Sequence, residues 1–89
     1  MAHLSEDFTT RAEQRQRKLF PYETAPAVVT EMANRIRELV LHGTPISHFL
    51  GKGMHQILET CSDPAASSDT RLAWGIYSVL LEEERKNQA

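Results

Sequence analysis

Residues 26–43, PAVVTEMANRIRELVLHG, decide the fold. Proline is acceptable in the first turn of a helix, so Pro26 can open one, and glycine supplies a stop at Gly43. Between them Val28, Val29, Met32, Ile36, Leu39 and Val40 recur on one side. At 100° per residue these six occupy an arc of about 120°, the pattern of an amphipathic helix packed on a core. Asn34 and Arg37 fall outside the arc, and Leu41 lies between them in projection. The helix therefore carries a second, mixed face that can meet a ligand or another subunit.

Downstream, Thr44-Pro45 has the form of an N-cap followed by proline at the first helical position. Ile46, Phe49, Leu50, Met54, Ile57, Leu58 and Cys61 then follow along one stripe. Gly51 and Gly53 weaken that segment, since each glycine costs about 1 kcal/mol relative to alanine in a helix interior. Two readings stay open: a separate second helix, or one long helix kinked at Pro45. Residues 62–68 read as a single polar loop. The last helix starts near Ser68-Asp69, whose side chains can cap free amides, and Arg85-Lys86 after Glu82-Glu83-Glu84 suit its C-terminus. Leu72, Ile76, Val79 and Leu80 form one apolar stripe, while Trp74, Tyr77 and Leu81 form another on a different side. A helix apolar on two sides needs two surfaces to bury against, which argues for self-association through Trp74, Tyr77, Leu81 and Leu41.

The expected architecture is thus all-α in one small domain spanning residues 1–89. It comprises a basic N-terminal segment (1–21), a helical arm (22–61), the loop (62–68) and a last helix (69–87). A chain of 89 residues buries only roughly 60 to 65% of the surface its unfolded form exposes, so association would add stability.

Composition excludes several functions. With 10 Lys+Arg against 12 Asp+Glu the formal charge is −2, which does not attract nucleic acid as a whole. The cations Arg11, Arg15, Arg17 and Lys18 face only Glu13 locally, but a charge run of this kind is usually a solvated face. Cys61 is the single cysteine, leaving no intramolecular disulfide and no cysteine metal framework. No stretch approaches the roughly 18 apolar residues of a membrane span, and no leader is recognisable, so a cytoplasmic location is expected. His3, His42, His48 and His55 include no i, i+4 pair for zinc. Gly51-Lys52-Gly53 lacks the first glycine and the hydroxyl residue of a phosphate loop. No cofactor is implied, and no catalytic arrangement is evident; the expectation is a protein that binds and does not catalyse.

One stretch carries binding chemistry. Arg17-Lys18-Leu19-Phe20-Pro21-Tyr22 sets cations beside an aromatic ring, and Met32, Asn34, Ile36 and Arg37 follow at helical spacing. The ring offers a stacking surface for a base, and the cations offer charge-assisted hydrogen bonds to phosphate. The same residues have a structural reading, with Tyr22 pinning the entry to the helix and Arg37 a solvated helix residue.

These patches resemble the phage anti-CBASS cyclic-nucleotide sponges, in which a basic-basic-aliphatic run precedes a tyrosine. An Asn-x-Ile-Lys group follows at about the separation seen here between Tyr22 and Asn34-Arg35-Ile36-Arg37. Asp69-Thr70-Arg71-Leu72 is similar to the Asp-Pro-Arg-Trp run that opens the family's last helix. The chain departs from the pattern at Glu23, where an arginine usually stands, at Arg37 in place of lysine, and at Leu72 in place of tryptophan. The resemblance implies a short N-terminal helix and a long antiparallel helical hairpin, formed by the arm and the last helix and assembled into a symmetric oligomer, a hexamer, that sequesters cyclic di- or trinucleotide immune signals without cleaving them. Tyr22 would stack on a base, with Lys18 nearby, and Arg37 would pair with a phosphate across a subunit boundary. Asn34 would read a base edge or hold the loop. Arg71, with Asp69, would belong to a separate trinucleotide pocket.

A different class stays open, in which a small helical phage or mobile-element protein inhibits a host protein by covering its surface with Trp74, Tyr77 and Leu81. DNA binding through the basic segment that includes Arg11 and Lys18 ranks last.

Overall fold

The computed structural model describes residues 4–22, 26–61 and 70–88. The described residues are helical, with no strand among them: α1 (Phe8–Leu19), α2 (Pro26–Leu41), a 3-10 turn (Ile46–Leu50), α3 (Lys52–Glu59), a second 3-10 turn (Thr70–Ala73) and α4 (Trp74–Gln88). None of these helices is long and apolar enough to cross a membrane. The segment 62–68 read as a loop, and the Ser68-Asp69 cap, lie outside the described residues.

α2 ends as its sequence predicts, and the geometry settles the reading of Pro45. Gly43 has φ +111°, the left-handed region that favours glycine. Its N–H donates to the Val40 carbonyl at 3.1 Å and the Thr44 N–H to the Leu39 carbonyl at 3.0 Å, the paired bonds of a Schellman motif. Pro45 then takes an extended conformation (φ −69°, ψ 146°) and precedes the 3-10 turn. The arm is therefore broken, not kinked. The flanking position of that turn belongs to Pro45, and no side chain caps it, so Thr44 is not the N-cap its sequence context suggested. Gly51 forms the junction from which α3 restarts.

The core joins all the helices. Val28, Val29, Met32, Ile36 and Val40 of α2 are buried with Ile46, Phe49, Met54, Ile57 and Leu58, and with Leu72, Ile76, Val79 and Leu80. Leu39 departs from the sequence reading: it is 37% exposed, although Val28 and Val40 at the two edges of the arc are both buried. Leu50 and Cys61 are only partly buried against the cluster.

The N-terminal helix takes a larger part than its composition suggests, for it packs against both α2 and α4. Three of its rows at i, i+4 spacing have separate duties. Phe8, Ala12 and Gln16 are buried. Thr9 and Glu13 meet α2, where the Thr9 hydroxyl donates to Asn34 Oδ1 at 2.8 Å and the Thr30 hydroxyl donates to Glu13 Oε1 at 3.0 Å. Arg11 and Arg15 meet α4: Arg11 donates to Glu82 and, at 2.8 Å, to Glu83, while Arg15 donates to Ser78 and, at 2.8 Å, to Glu82. These pairings fall in descending order as α1 ascends, so α1 runs antiparallel to both neighbours.

Glycine makes the α1–α4 approach possible. A Cβ on Gly75 would stand 2.7 Å from the Gln16 backbone nitrogen and 2.8 Å from its Cα. The buried Gln16 amide is satisfied in the same place. Its Nε2 donates to the Arg71 carbonyl at 2.8 Å, and its Oε1 accepts the N–H of Gly75, in the first turn of α4, at 2.8 Å.

Candidate functional site

The predicted binding residues are all exposed where described, and none of them builds the core. Asp69 lies outside the described residues. The remaining five divide between two ends of the molecule. Because α1 and α2 are antiparallel, Asn34 sits beside the start of α1 at Thr9, with Arg37 one turn further along α2. Lys18 and Tyr22 lie at the other end, where α1 finishes. The rise of α2 from Pro26 to Arg37 alone is about 16 Å. One chain therefore does not bring Tyr22 and Arg37 to a common ligand.

Asn34 and Arg37 do share a groove. With Leu4, Glu38, Val40 and Leu41 they line a shallow depression of about 350 Å³. Leu4, Val40 and Leu41 supply an apolar floor, Arg37 a guanidinium with several donors, and Asn34 an amide whose oxygen is engaged by Thr9. With that oxygen fixed as acceptor, the amide nitrogen supplies donors, so the groove offers donors above an apolar surface, suited to a planar ligand with acceptor atoms. Glu38 places a carboxylate on the same rim and opposes an anion there. A second shallow depression on the same helix, of about 510 Å³, is lined by Glu31, Asn34, Arg35, Glu38, Leu39 and His42.

At the other end, Lys18 and Tyr22 adjoin the beginning of α4. Tyr22 is 96% exposed, so it does not pin the entry to α2. Phe20, which had no assigned task, packs its ring 5.5 Å from that of Trp74 at 53°. The Arg71 carbonyl accepts the Gln16 side chain nearby. A third depression, of about 280 Å³, opens between α3 and α4 and is lined by Gly51, Met54, His55, Leu58, Ala73, Trp74 and Tyr77. The expected contact residues Leu41, Trp74, Tyr77 and Leu81 are all exposed, Leu41 to 76%.

The electrostatics alter the view of the basic segment. Arg11 and Arg15 are held by Glu82 and Glu83, so they join two helices and do not form a solvated cationic face. Arg17 and Lys18 are the exposed cations of α1, and as its last-turn residues they also suit the negative end of the helix dipole. Glu83 is buried, accepting from the Ser5 hydroxyl as well as from Arg11. The hydrogen bond from Arg15 holds the Glu82 carboxyl below the usual carboxylate range, and the charges of Arg15 and Arg11 add to it against a smaller desolvation effect.

No group of three or more His, Cys, Asp or Glu side chains able to hold a metal occurs among the described residues. Sequence reasoning missed Gln16, Glu83 and Phe20. The available signal was the i, i+4 repetition of Phe8, Ala12 and Gln16, with Arg11 and Arg15 in the adjacent row. Comparison with protein-family models, curated proteins and solved structures finds no match to this chain.

Proposed function

We propose that this protein binds and does not catalyse, and that it captures a cyclic di- or trinucleotide in a pocket completed by more than one copy of the chain. The observation that carries this reading is the division of the ligand residues between two ends. Tyr22 and Lys18 offer stacking and charge at one end; Asn34 and Arg37 offer donors over an apolar floor at the other. Each set is exposed, and a site using both takes Tyr22 from one copy and Arg37 from another. The resemblance to the anti-CBASS sponges points the same way: a phage-type counter-defence protein, acting in the host cytoplasm, that removes an immune signal stoichiometrically. Glu38 on the groove rim narrows the arrangement, since a phosphate must approach from the side of Arg37 away from it.

Isothermal titration of the purified protein against a panel of cyclic di- and trinucleotides tests the proposal. Saturable binding at less than one ligand per subunit supports a shared pocket. Silence across the panel overturns it.

A second reading rests on a separate observation, the apolar depression beside Trp74 and Tyr77. It makes the protein an inhibitor that covers a surface of a host protein. In that case cyclic nucleotides give no heat, and substitution of Tyr22 or Arg37 leaves inhibition unchanged.

A further inference from the structure

Asn34, Arg37, Glu38 and Leu41 fall within an arc of about 100° on α2, and all four are exposed. They line the depression of about 350 Å³ whose floor is Leu4, Val40 and Leu41. Its polar groups differ in kind. The Thr9 hydroxyl donates to Asn34 Oδ1 at 2.8 Å, which turns the amide nitrogen away from α1. Glu38, one turn along the same face, favours that orientation too, because an amide oxygen turned toward it would meet a carboxylate. Glu38 itself has no ion pair among the described residues, and its side chain offers two acceptor oxygens and no donor. The groove therefore sets a donor beside a pair of acceptors above an apolar floor.

We propose that this groove takes a guanine base by its Watson–Crick edge. Glu38 accepts from the ring N1–H and the exocyclic 2-amino group, while the Asn34 amide nitrogen donates to O6. The proposal rests on the capture of a cyclic nucleotide proposed above and names the base. Guanine presents one acceptor followed by two donors, in the order that Asn34 and Glu38 require. Adenine would turn its N1 lone pair toward the Glu38 carboxylate and its amino group toward the Asn34 amino group, so both contacts become repulsive. Uracil has a single N–H between two carbonyl oxygens, one of which would face Glu38. Two parallel bonds to one carboxylate are charge-assisted and stronger than bonds between neutral groups, and a site whose polar groups are left unpaired by the wrong ligand rejects it.

The carboxylate thereby gains a use in a pocket for an anion. Arg37 and Glu38 project about 100° apart around α2, so the phosphate of a nucleotide can lie on the guanidinium while its base lies on the carboxylate. Leu41, 76% exposed, supplies an apolar surface for one face of the ring.

Calorimetric titration of the full chain with cyclic di-GMP, cyclic di-AMP, GMP and AMP, repeated with Glu38→Gln, tests the assignment. The guanine member of each pair binds at least about tenfold more tightly than its adenine counterpart. Cyclic di-IMP, which keeps N1–H and lacks the 2-amino group, binds about tenfold more weakly than cyclic di-GMP. Glu38→Gln, at an exposed position, leaves the helical circular dichroism unchanged; it weakens the guanine ligands and leaves the adenine ligands as they were or strengthens them. A Glu38 that only repels phosphate gives another result: the substitution then strengthens guanine and adenine ligands alike, which overturns the proposal. Equal binding of cyclic di-GMP and cyclic di-AMP to the wild-type protein also overturns it and leaves nucleotide capture standing. Binding of GMP in preference to AMP, with no heat from any cyclic dinucleotide, upholds the guanine groove and removes the capture reading. Silence from every nucleotide overturns both.

Discussion

Gly75→Ala should reveal how closely α1 and α4 are packed, because two effects of opposite sign meet at that position. In an ordinary helix the change stabilises by about 1 kcal/mol, since alanine has the higher helix propensity. Here the new methyl would stand 2.7 Å from the Gln16 nitrogen and 2.8 Å from its Cα, and backbone atoms cannot rotate away. Forcing the helices apart costs about 1 to 3 kcal/mol by analogy with overpacked cores. The same displacement loosens both Gln16 hydrogen bonds, the one to the Arg71 carbonyl and the one from the Gly75 N–H, each worth about 1 kcal/mol net. The balance is a loss of about 2 to 3 kcal/mol, or a fall in Tm of about 10 to 20 °C for a domain of this size. Thermal melting by circular dichroism and urea denaturation with an unchanged m value are the assays. A Gln16→Ala/Gly75→Ala double variant should lose less than the sum of the single losses, because the two hydrogen bonds are then counted once. A Gly75→Ala protein as stable as wild type, or more so, would refute the claim that the two backbones touch there.

Other perturbations address the remaining features. Arg11→Ala strips the buried Glu83 of its guanidinium and should cost about 2 to 3 kcal/mol in urea, below the usual penalty for a broken buried pair because Arg11 is partly hydrated; a change under about 0.5 kcal/mol contradicts the buried pairing. The lowered pKa of Glu82 means that its ion pairs contribute above the unfolded glutamate value of about 4.3 and are lost as pH falls through the folded value. Glu82→Gln should therefore flatten the stability profile on the acid side, and an unaltered profile would remove Glu82 as the cause. Tyr22→Ala should leave the melting curve in place, since the ring is almost wholly exposed, and weaken nucleotide binding by roughly 1 to 3 kcal/mol if it stacks on a base. Arg37→Ala should likewise reduce affinity without unfolding the chain; wild-type binding by both variants would dismiss these residues as ligands.

How much of this was legible in the sequence depended on where the partner residue is encoded. The α2 stripe and its Gly43 stop could be read because helix, periodicity and terminator are contiguous. Leu39 was misjudged because periodicity gives an angle and not a neighbour: it shares the arc with the buried Val28 and Val40 but remains 37% exposed. The last helix disclosed both its apolar sides, and the exposure of Trp74, Tyr77 and Leu81 agrees with that division. α1 was hard to read for a plain reason: its buried row holds one large apolar residue, Phe8, and its other attachments are polar. Gln16 and Glu83 are interior groups whose partners lie more than fifty residues away, so no local pattern marks them. Of the candidate site, the residue types were visible, while the separation of Tyr22 from Arg37 follows only from the antiparallel run of α1 and α2.

The attachment of α1 to α4 also governs when the chain can fold. Ser5 and Arg11 meet Glu83, and Gln16 meets Arg71 and Gly75, across sequence separations of 78, 72, 55 and 59 residues. As the polypeptide leaves the ribosome, its first helix has α2 to lean on but none of the carboxylates that neutralise Arg11 and Arg15. Glu82 emerges only 71 residues after Arg11. Closing so long a loop carries an entropic cost that precedes any reward, and contacts of this span slow folding relative to local ones. Premature termination before Glu82 would thus strand a fully synthesised N-terminal helix with its salt-bridge partners missing, exposing Phe8 and Ala12 to proteolysis. Integrity of the first helix is in effect a report on completion of the last.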